Sequence, residues 1–154
     1  MAQGDGGQVE FLDELVESLR DLHNQIIEES GGVLGEHTSS LYAACARPFQ
    51  TAFGEDLYPT EFEKMAAFFH AVIADHVFVD GNKRTATIGT LLMIGARGYL
   101  REESLTRLHV LLLGEVALAT AAEGLSAQDV TYWLRRIFDP DILAAPAAEA
   151  EVSV

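Results

Sequence analysis

A single cysteine, Cys45, leaves no internal disulfide to form, and it suits a reducing compartment in which a buried thiol is filler. Cations are scarce: ten Lys and Arg stand against 24 Asp and Glu, for a formal charge of −14. A surface of that sign repels phosphate backbones, so nucleic acid is not an expected partner. Nucleotide binding is still open, because screening acts over about 8 Å and a local cluster of cations governs its own pocket. Long apolar runs are missing too. The most apolar stretch, residues 108–122, is interrupted by His109, Gly114 and Glu115 and is too short to cross a bilayer. The first eight residues are small, polar and glycine-rich, unlike a secretory leader. A soluble, cytoplasmic protein with no membrane partner is expected.

What is present is enough apolar material, 49% of 154 residues, to build one real core. Its period is helical nearly throughout. Phe11, Leu12, Leu15, Leu19, Leu22 and Ile26 follow the three-and-four spacing of one helix face, stopped by Gly31 and Gly32. A short helix is predicted over residues 39–47, ending at Pro48, followed by a loop over 48–59 that carries Phe49, Phe53, Leu57 and Tyr58. That loop is too apolar for free solvent, and inward packing of its aromatic residues is the favoured reading over a grip on a partner. Thr60 and Glu63 have the spacing of a capping box that opens the next helix. A further helix carries Ile88, Leu91, Leu92 and Ile94 and stops at Gly98. Ser104 and Ser126 are the expected caps of two more, the second ending near Asp139-Pro140. The fold class is all-α: a compact bundle of six or more helices. Residues 1–9 read as a disordered N-terminus, 10–139 as the domain, and 140–154 as a disordered Ala-rich acidic tail.

The chemistry is concentrated in His76-Val77-Phe78-Val79-Asp80-Gly81-Asn82-Lys83-Arg84-Thr85-Ala86. Asp-Gly between Val and Phe residues is a hairpin signal when taken alone. Helical period on both sides argues instead for a short loop between two long helices. The start of the second helix exposes unpaired amides and the positive end of its dipole. Gly81 and Asn82 at that point, with Lys83 and Arg84 adding two cations, compose an anion site suited to phosphate groups. Asp80 is placed to hold Mg²⁺, which takes one or two carboxylates together with phosphate oxygens. Imidazole is the side chain suited to accept a proton near neutral pH, which makes His76 the candidate base. A lone histidine, a Lys-Arg pair or an Asp-Gly turn is ordinarily structural; their coincidence in nine residues is not.

This segment resembles the signature of the Fic/Doc superfamily, H-x-F-x-(D/E)-G-N-(G/K)-R, at every fixed position: His76, Phe78, Asp80, Gly81, Asn82, Lys83 and Arg84. AMP-transferring members carry glycine where Lys83 stands and a second arginine where Thr87 stands. The Lys-Arg-Thr-Ala run is similar to the Doc (death on curing) branch. Residues 22–32, 46–48, 58–64, 119–124 and 134–136 also look like segments of that branch. The resemblance implies a Fic-fold bundle with a short flap loop. It implies His76 as catalytic base, Asp80 as metal ligand, Phe78 as the buried anchor of the loop, and Gly81, Asn82, Lys83 and Arg84 as binders of ATP, with Mg²⁺ as cofactor. It also implies a toxin-like kinase that phosphorylates elongation factor Tu. AMP transfer and a non-catalytic binding domain are the alternative readings.

Many family members restrain themselves with an S/T-x-x-x-E-G/N helix whose glutamate meets the second motif arginine. Here Glu123-Gly124 has Ala119, not Ser or Thr, four residues earlier, and Thr87 replaces the arginine. Control by an antitoxin-like protein acting in trans is therefore expected, and the overall acidity favours a basic partner.

Overall fold

The computed structural model describes residues 5–144, and within them helices follow one another almost without interruption. They are α1 (Asp5–Ser30), α2 (Thr38–Ala46), α3 (Glu61–Ala74), α4 (Asn82–Ala96), α5 (Arg107–Glu123), α6 (Ala127–Phe138) and the short α7 (Pro140–Leu143). The expected all-α bundle is what the chain forms. Residues 1–4 and 145–154 lie outside the description. The helical segments Asp5–Ser30 and Pro140–Leu143 extend into stretches that composition marked as disordered ends. In α1, residues 6–11 are exposed and continue a helix that the packed turns further along have already nucleated.

Helix α3 is the axis of the bundle. Nine of its fourteen residues are buried, including Phe62, Phe68, Phe69 and Val72, and it packs against α2, α4, α5 and α6. A helix apolar on nearly every side belongs in the middle of its domain. Leu41, Cys45, Ile94, Leu113, Val130 and Leu134 close the core around it. Burial pushes the Cys45 thiol up to about 12, consistent with inert filler.

The caps follow the sequence with two corrections. Thr60 Oγ1 accepts from Glu63 N–H at 3.2 Å, and only this half of the expected box forms among the described residues. Ser126 and Asp129 form a complete box at the start of α6. Ser104 does not cap α5; it lies in a 3-10 turn, Glu102–Ser104, and Thr106 is the cap. There His109, three residues on, accepts from the Thr106 N–H at 3.1 Å through Nδ1. An imidazole does the work usually done by Glu or Gln.

The loop at 48–59 is a small hairpin, with β1 (Thr51–Ala52) antiparallel to β2 (Glu55–Asp56). Its stem is anchored. Lys64 Nζ on α3 donates to the carbonyls of Pro48 (3.3 Å) and Tyr58 (2.5 Å) and sits 3.4 Å from Asp56. Phe49 meets Phe11 edge-on. The tip does the opposite of what apolar composition suggests: Phe53 is fully exposed, so inward packing is wrong for this residue. The two-residue turn requires positive φ at both centres, and Phe53 (54°) and Gly54 (80°) supply it, which aims the ring outward.

Candidate functional site

The segment between α3 and α4 is a loop, not a hairpin, but it borrows strand-like pairing from another part of the chain. Phe78 forms an isolated antiparallel bridge with Glu36. His37 N–H donates to Val77 O (2.8 Å) and Val79 N–H to Gly35 O (3.0 Å). The 33–37 segment is itself held to α1, where Arg20 hydrogen-bonds the Glu36 carboxylate. That bond, above all, keeps Glu36 below the usual carboxylate range.

His76 begins the loop at φ 46°, a left-handed conformation uncommon for a residue with a side chain and often found at functional sites. It is exposed, and no hydrogen bond ties its ring to another described residue. Val77 and Phe78, 0% and 1% exposed, sink into the core and pin the loop behind it. Phe78 is the buried anchor that the resemblance implies.

The Asn82 side chain closes the loop on itself. Its Oδ1 accepts from Phe78 N–H, and its Nδ2 donates to Phe78 O, each at 2.8 Å. This amide is committed to the backbone; what it offers an anion is its own main-chain N–H in the first turn of α4. Gly81 caps that helix at φ 82° and ψ 17°, a left-handed geometry that glycine adopts freely. The first intrahelical bond runs from Thr85 N–H to Gly81 O, so the preceding amides are those a helix start leaves unpaired.

Asp80 and Arg84 face the C-terminal end of α1. The Asp80 carboxylate accepts from Val33 N–H (3.1 Å) and Gly81 N–H (2.8 Å), with Arg84 Nη2 3.8 Å away. The two backbone donors, Val33 first, hold its pKa below the ordinary 3.8. Arg84 donates through Nη1 to Ser30 Oγ (2.6 Å) and Gly31 O (2.8 Å), and keeps Nη2 beside Asp80. Gly32 makes this approach possible: a Cβ there would stand 2.6 Å from Asp80 Oδ2 and 3.0 Å from Arg84 Nη2. His23 of α1 adds a contact from inside the bundle, with Nε2 2.6 Å from the Asp80 carbonyl.

Lys83 is exposed at the start of α4. With Arg84, Glu29 and Thr87 it lines a cleft of 460 Å³ floored by Ile26, Ile88 and Val110. Thr87 is buried and donates to Lys83 O at 2.8 Å, so the position of a second arginine is packed into the helix. A larger cleft of 980 Å³ shares Ile88 and Val110 and continues along α4 to Leu92, Leu100 and Arg101.

The structure thus brings Asp80, Gly81, Asn82 and Arg84 together at the end of α1. It turns Lys83 to the flanking cleft and leaves His76 at the mouth of the loop. Among the described residues no group of three or more His, Cys, Asp or Glu could hold a metal by protein ligands alone. A single half-exposed carboxylate beside exposed helix amides fits Mg²⁺ that arrives with phosphate oxygens. Sequence reasoning missed His23, Ser30, Gly32 and Val33, all in the 22–33 stretch. In the sequence His23, His37, His70 and His109 show no metal-ligand spacing with one another, and nothing sets His23 apart.

Comparison with known proteins bears on the family of the chain. The Toxin Doc protein of Mycolicibacterium smegmatis is 50% identical over 46 residues, which is 30% of this chain and 35% of that protein. The chain therefore matches about a third of the length of this curated relative. The model of the Fic/DOC family matches residues 11–94, from the buried face of α1 through most of α4. A match over more than half of the chain, which includes the loop between α3 and α4, shows that this protein belongs to the Fic/DOC family.

Proposed function

We propose that this chain is a Doc-type toxin that transfers the γ-phosphate of ATP to a protein hydroxyl, with elongation factor Tu as the target class. The observation that carries this reading is the start of α4. There Gly81 in a left-handed cap, the unpaired first amides and Arg84 converge beside the Asp80 carboxylate, while Lys83 occupies the adjoining cleft. A lysine fills space and adds charge that glycine would leave for an α-phosphate, which favours a triphosphate bound with its γ-phosphate toward the target. The name of the mycobacterial relative, Toxin Doc, supports the same branch.

In this reaction the target hydroxyl oxygen bonds to the γ-phosphorus, the bond from phosphorus to the β,γ-bridging oxygen breaks, and ADP leaves. The hydroxyl proton passes to His76, whose exposed ring is free to meet a substrate. The amides of α4 and Arg84 bind and orient the phosphates, so alignment and charge neutralisation carry most of the rate. Asp80 would hold Mg²⁺, which would neutralise phosphate charge when bound. The flap presents an open strand edge to an extended target segment, the recognition mode of strand addition. Its root is tied to the residue before the base, since Arg47 Nη2 lies 2.7 Å from Asp75 Oδ2.

Control in trans fits the apolar clefts along α4 and α5, where Ile88, Leu92, Val110 and Leu118 are exposed. Lys83, Arg84 and Arg101 accompany Glu29 and Glu103 in the walls. The local charge is not that of the whole chain, and an antitoxin-like segment docking there needs an apolar face rather than a basic one. The deciding experiment uses ATP labelled at either the α or the γ phosphate, with purified elongation factor Tu and with lysate. Transfer of γ label that His76→Ala lowers by about 10² to 10⁴-fold is expected; transfer of α label would mean AMP transfer, and no label in any protein would refute an enzymatic role.

A further inference from the structure

One buried polar side chain of α1 has no part in the chemistry above. His23 is 1% exposed, its Nε2 lies 2.6 Å from the carbonyl oxygen of Asp80, and its ring stacks on Phe78 at 3.8 Å with the planes 2° apart. A carbonyl oxygen only accepts, so Nε2 carries the proton and donates. A single imidazole meets the loop twice, by its edge at Asp80 and by its face at Phe78.

The peptide it grips is the one in this loop most able to turn over. Gly81 has no Cβ to oppose rotation of the plane between residues 80 and 81. In the orientation observed, the Asp80 carbonyl points inward to His23 and the Gly81 N–H donates to Asp80 Oδ1 at 2.8 Å. The reverse orientation would strand the carbonyl dipole on the outer side of the loop, beside the first amides of α4, where it opposes an anion. It would also take from the Asp80 carboxylate one of its two backbone donors. Substituting Gly81 is no remedy, since a Cβ there would stand 3.1 Å from Ile27 Cδ1 at a φ that side chains rarely adopt.

We infer that His23 is a positioning residue for the phosphate site: its Nε2–H locks the peptide between Asp80 and Gly81 so that amides, not a carbonyl, face the anion. The inference rests on the proposal that the start of α4 binds the triphosphate. Its geometric half can be tested without that proposal.

The test uses the full chain and three readouts: MgATP affinity by titration calorimetry, thermal melting, and the Gly81 amide signal in nucleotide-free ¹H–¹⁵N spectra. His23→Phe keeps a stacking ring and removes the donor; His23→Gln restores a donor without the ring. The Phe variant is expected to bind MgATP about tenfold more weakly and to shift or double the Gly81 signal, while the Gln variant stays within about threefold of wild type. A merely structural role would lower both variants together in proportion to their melting temperatures, and that result overturns the inference. An unchanged affinity and Gly81 signal in the Phe variant overturns it as well. Should the Phe variant not fold, Gln against His23→Met, similar in size and without a donor, makes the same comparison. If wild type binds no MgATP, the phosphate-site proposal falls, and the Gly81 signal alone decides whether His23 holds the peptide.

Discussion

Replacing Asn82 with alanine separates loop closure from ligand binding. Its amide is the one side chain that satisfies both the N–H and the C=O of Phe78, each at 2.8 Å, and Phe78 is 1% exposed. Truncation leaves two backbone groups buried without partners, at about 1–3 kcal/mol each. Roughly 2–6 kcal/mol of lost stability corresponds, at ~3 °C per kcal/mol for a chain of this size, to a melting point lowered by about 6–18 °C. Asn82→Asp keeps the acceptor for Phe78 N–H but sets a carboxylate against the Phe78 carbonyl. Its charge is favoured at the helix start, so it should fall between alanine and wild type. Thermal melting of the three proteins without nucleotide is the assay. An alanine variant that melts within about 3 °C of wild type would mean that the loop does not depend on this clamp, and the accounting from buried unpaired groups would be refuted.

Three other outcomes follow from the geometry. Phe53→Ser should leave stability within about 0.5 kcal/mol of wild type, since the ring is fully exposed, while lowering target modification; unchanged modification would remove the flap tip from target recognition. Gly32→Ala should weaken MgATP binding and lower the melting point, because its Cβ would stand 2.6 Å from Asp80 Oδ2. Gly31→Ala, with open space around it, should show only backbone strain, and equal effects on binding would contradict the close-approach argument. The Arg20 hydrogen bond sets the folded-state pKa of Glu36 below its unfolded value near 4.5, so the stability it adds is complete above 4.5 and lost as pH falls through the folded value. Melting curves of wild type and Glu36→Gln should therefore converge in acid, and a gap that persists to low pH would show that Glu36 acts through packing instead.

The helices with a strong period, α1, α3 and α4, were legible in the sequence, and so was the loop, because His76, Asp80 and Arg84 lie within one short run. The helical flanks of Asp80-Gly81 outweigh its hairpin signal, and the segment is a loop between α3 and α4. What escaped was whatever depends on a partner distant in the chain. Nothing near His23 indicates that its partner is Asp80, 57 residues on. Gly32 reads locally as a helix stop, and its second role exists only because Asp80 and Arg84 arrive beside it. Ser104 and Thr106 are both hydroxyl residues at the right distance, and His109 decided between them through a contact outside the Glu/Gln pattern. Phe53 departs from expectation because apolar content argues burial, whereas turn geometry puts the ring at a tip.

The ties that hold the motif loop reach back across 47, 54 and 57 residues, to Val33, Ser30 and His23. The flap tip lies between the two ends of every one of them. A single cut at Phe53-Gly54 would therefore divide the protein into a piece that owns His23, Ser30 and Val33 and a piece that owns the motif, and neither would hold a finished site. On the ribosome the same division is one of time: the α1 end is made early, but its ties are incomplete until Asp80 and then Arg84 have emerged. For a chain proposed to arrest translation, this means that its own synthesis must run past the flap and through α4 before the activity can exist.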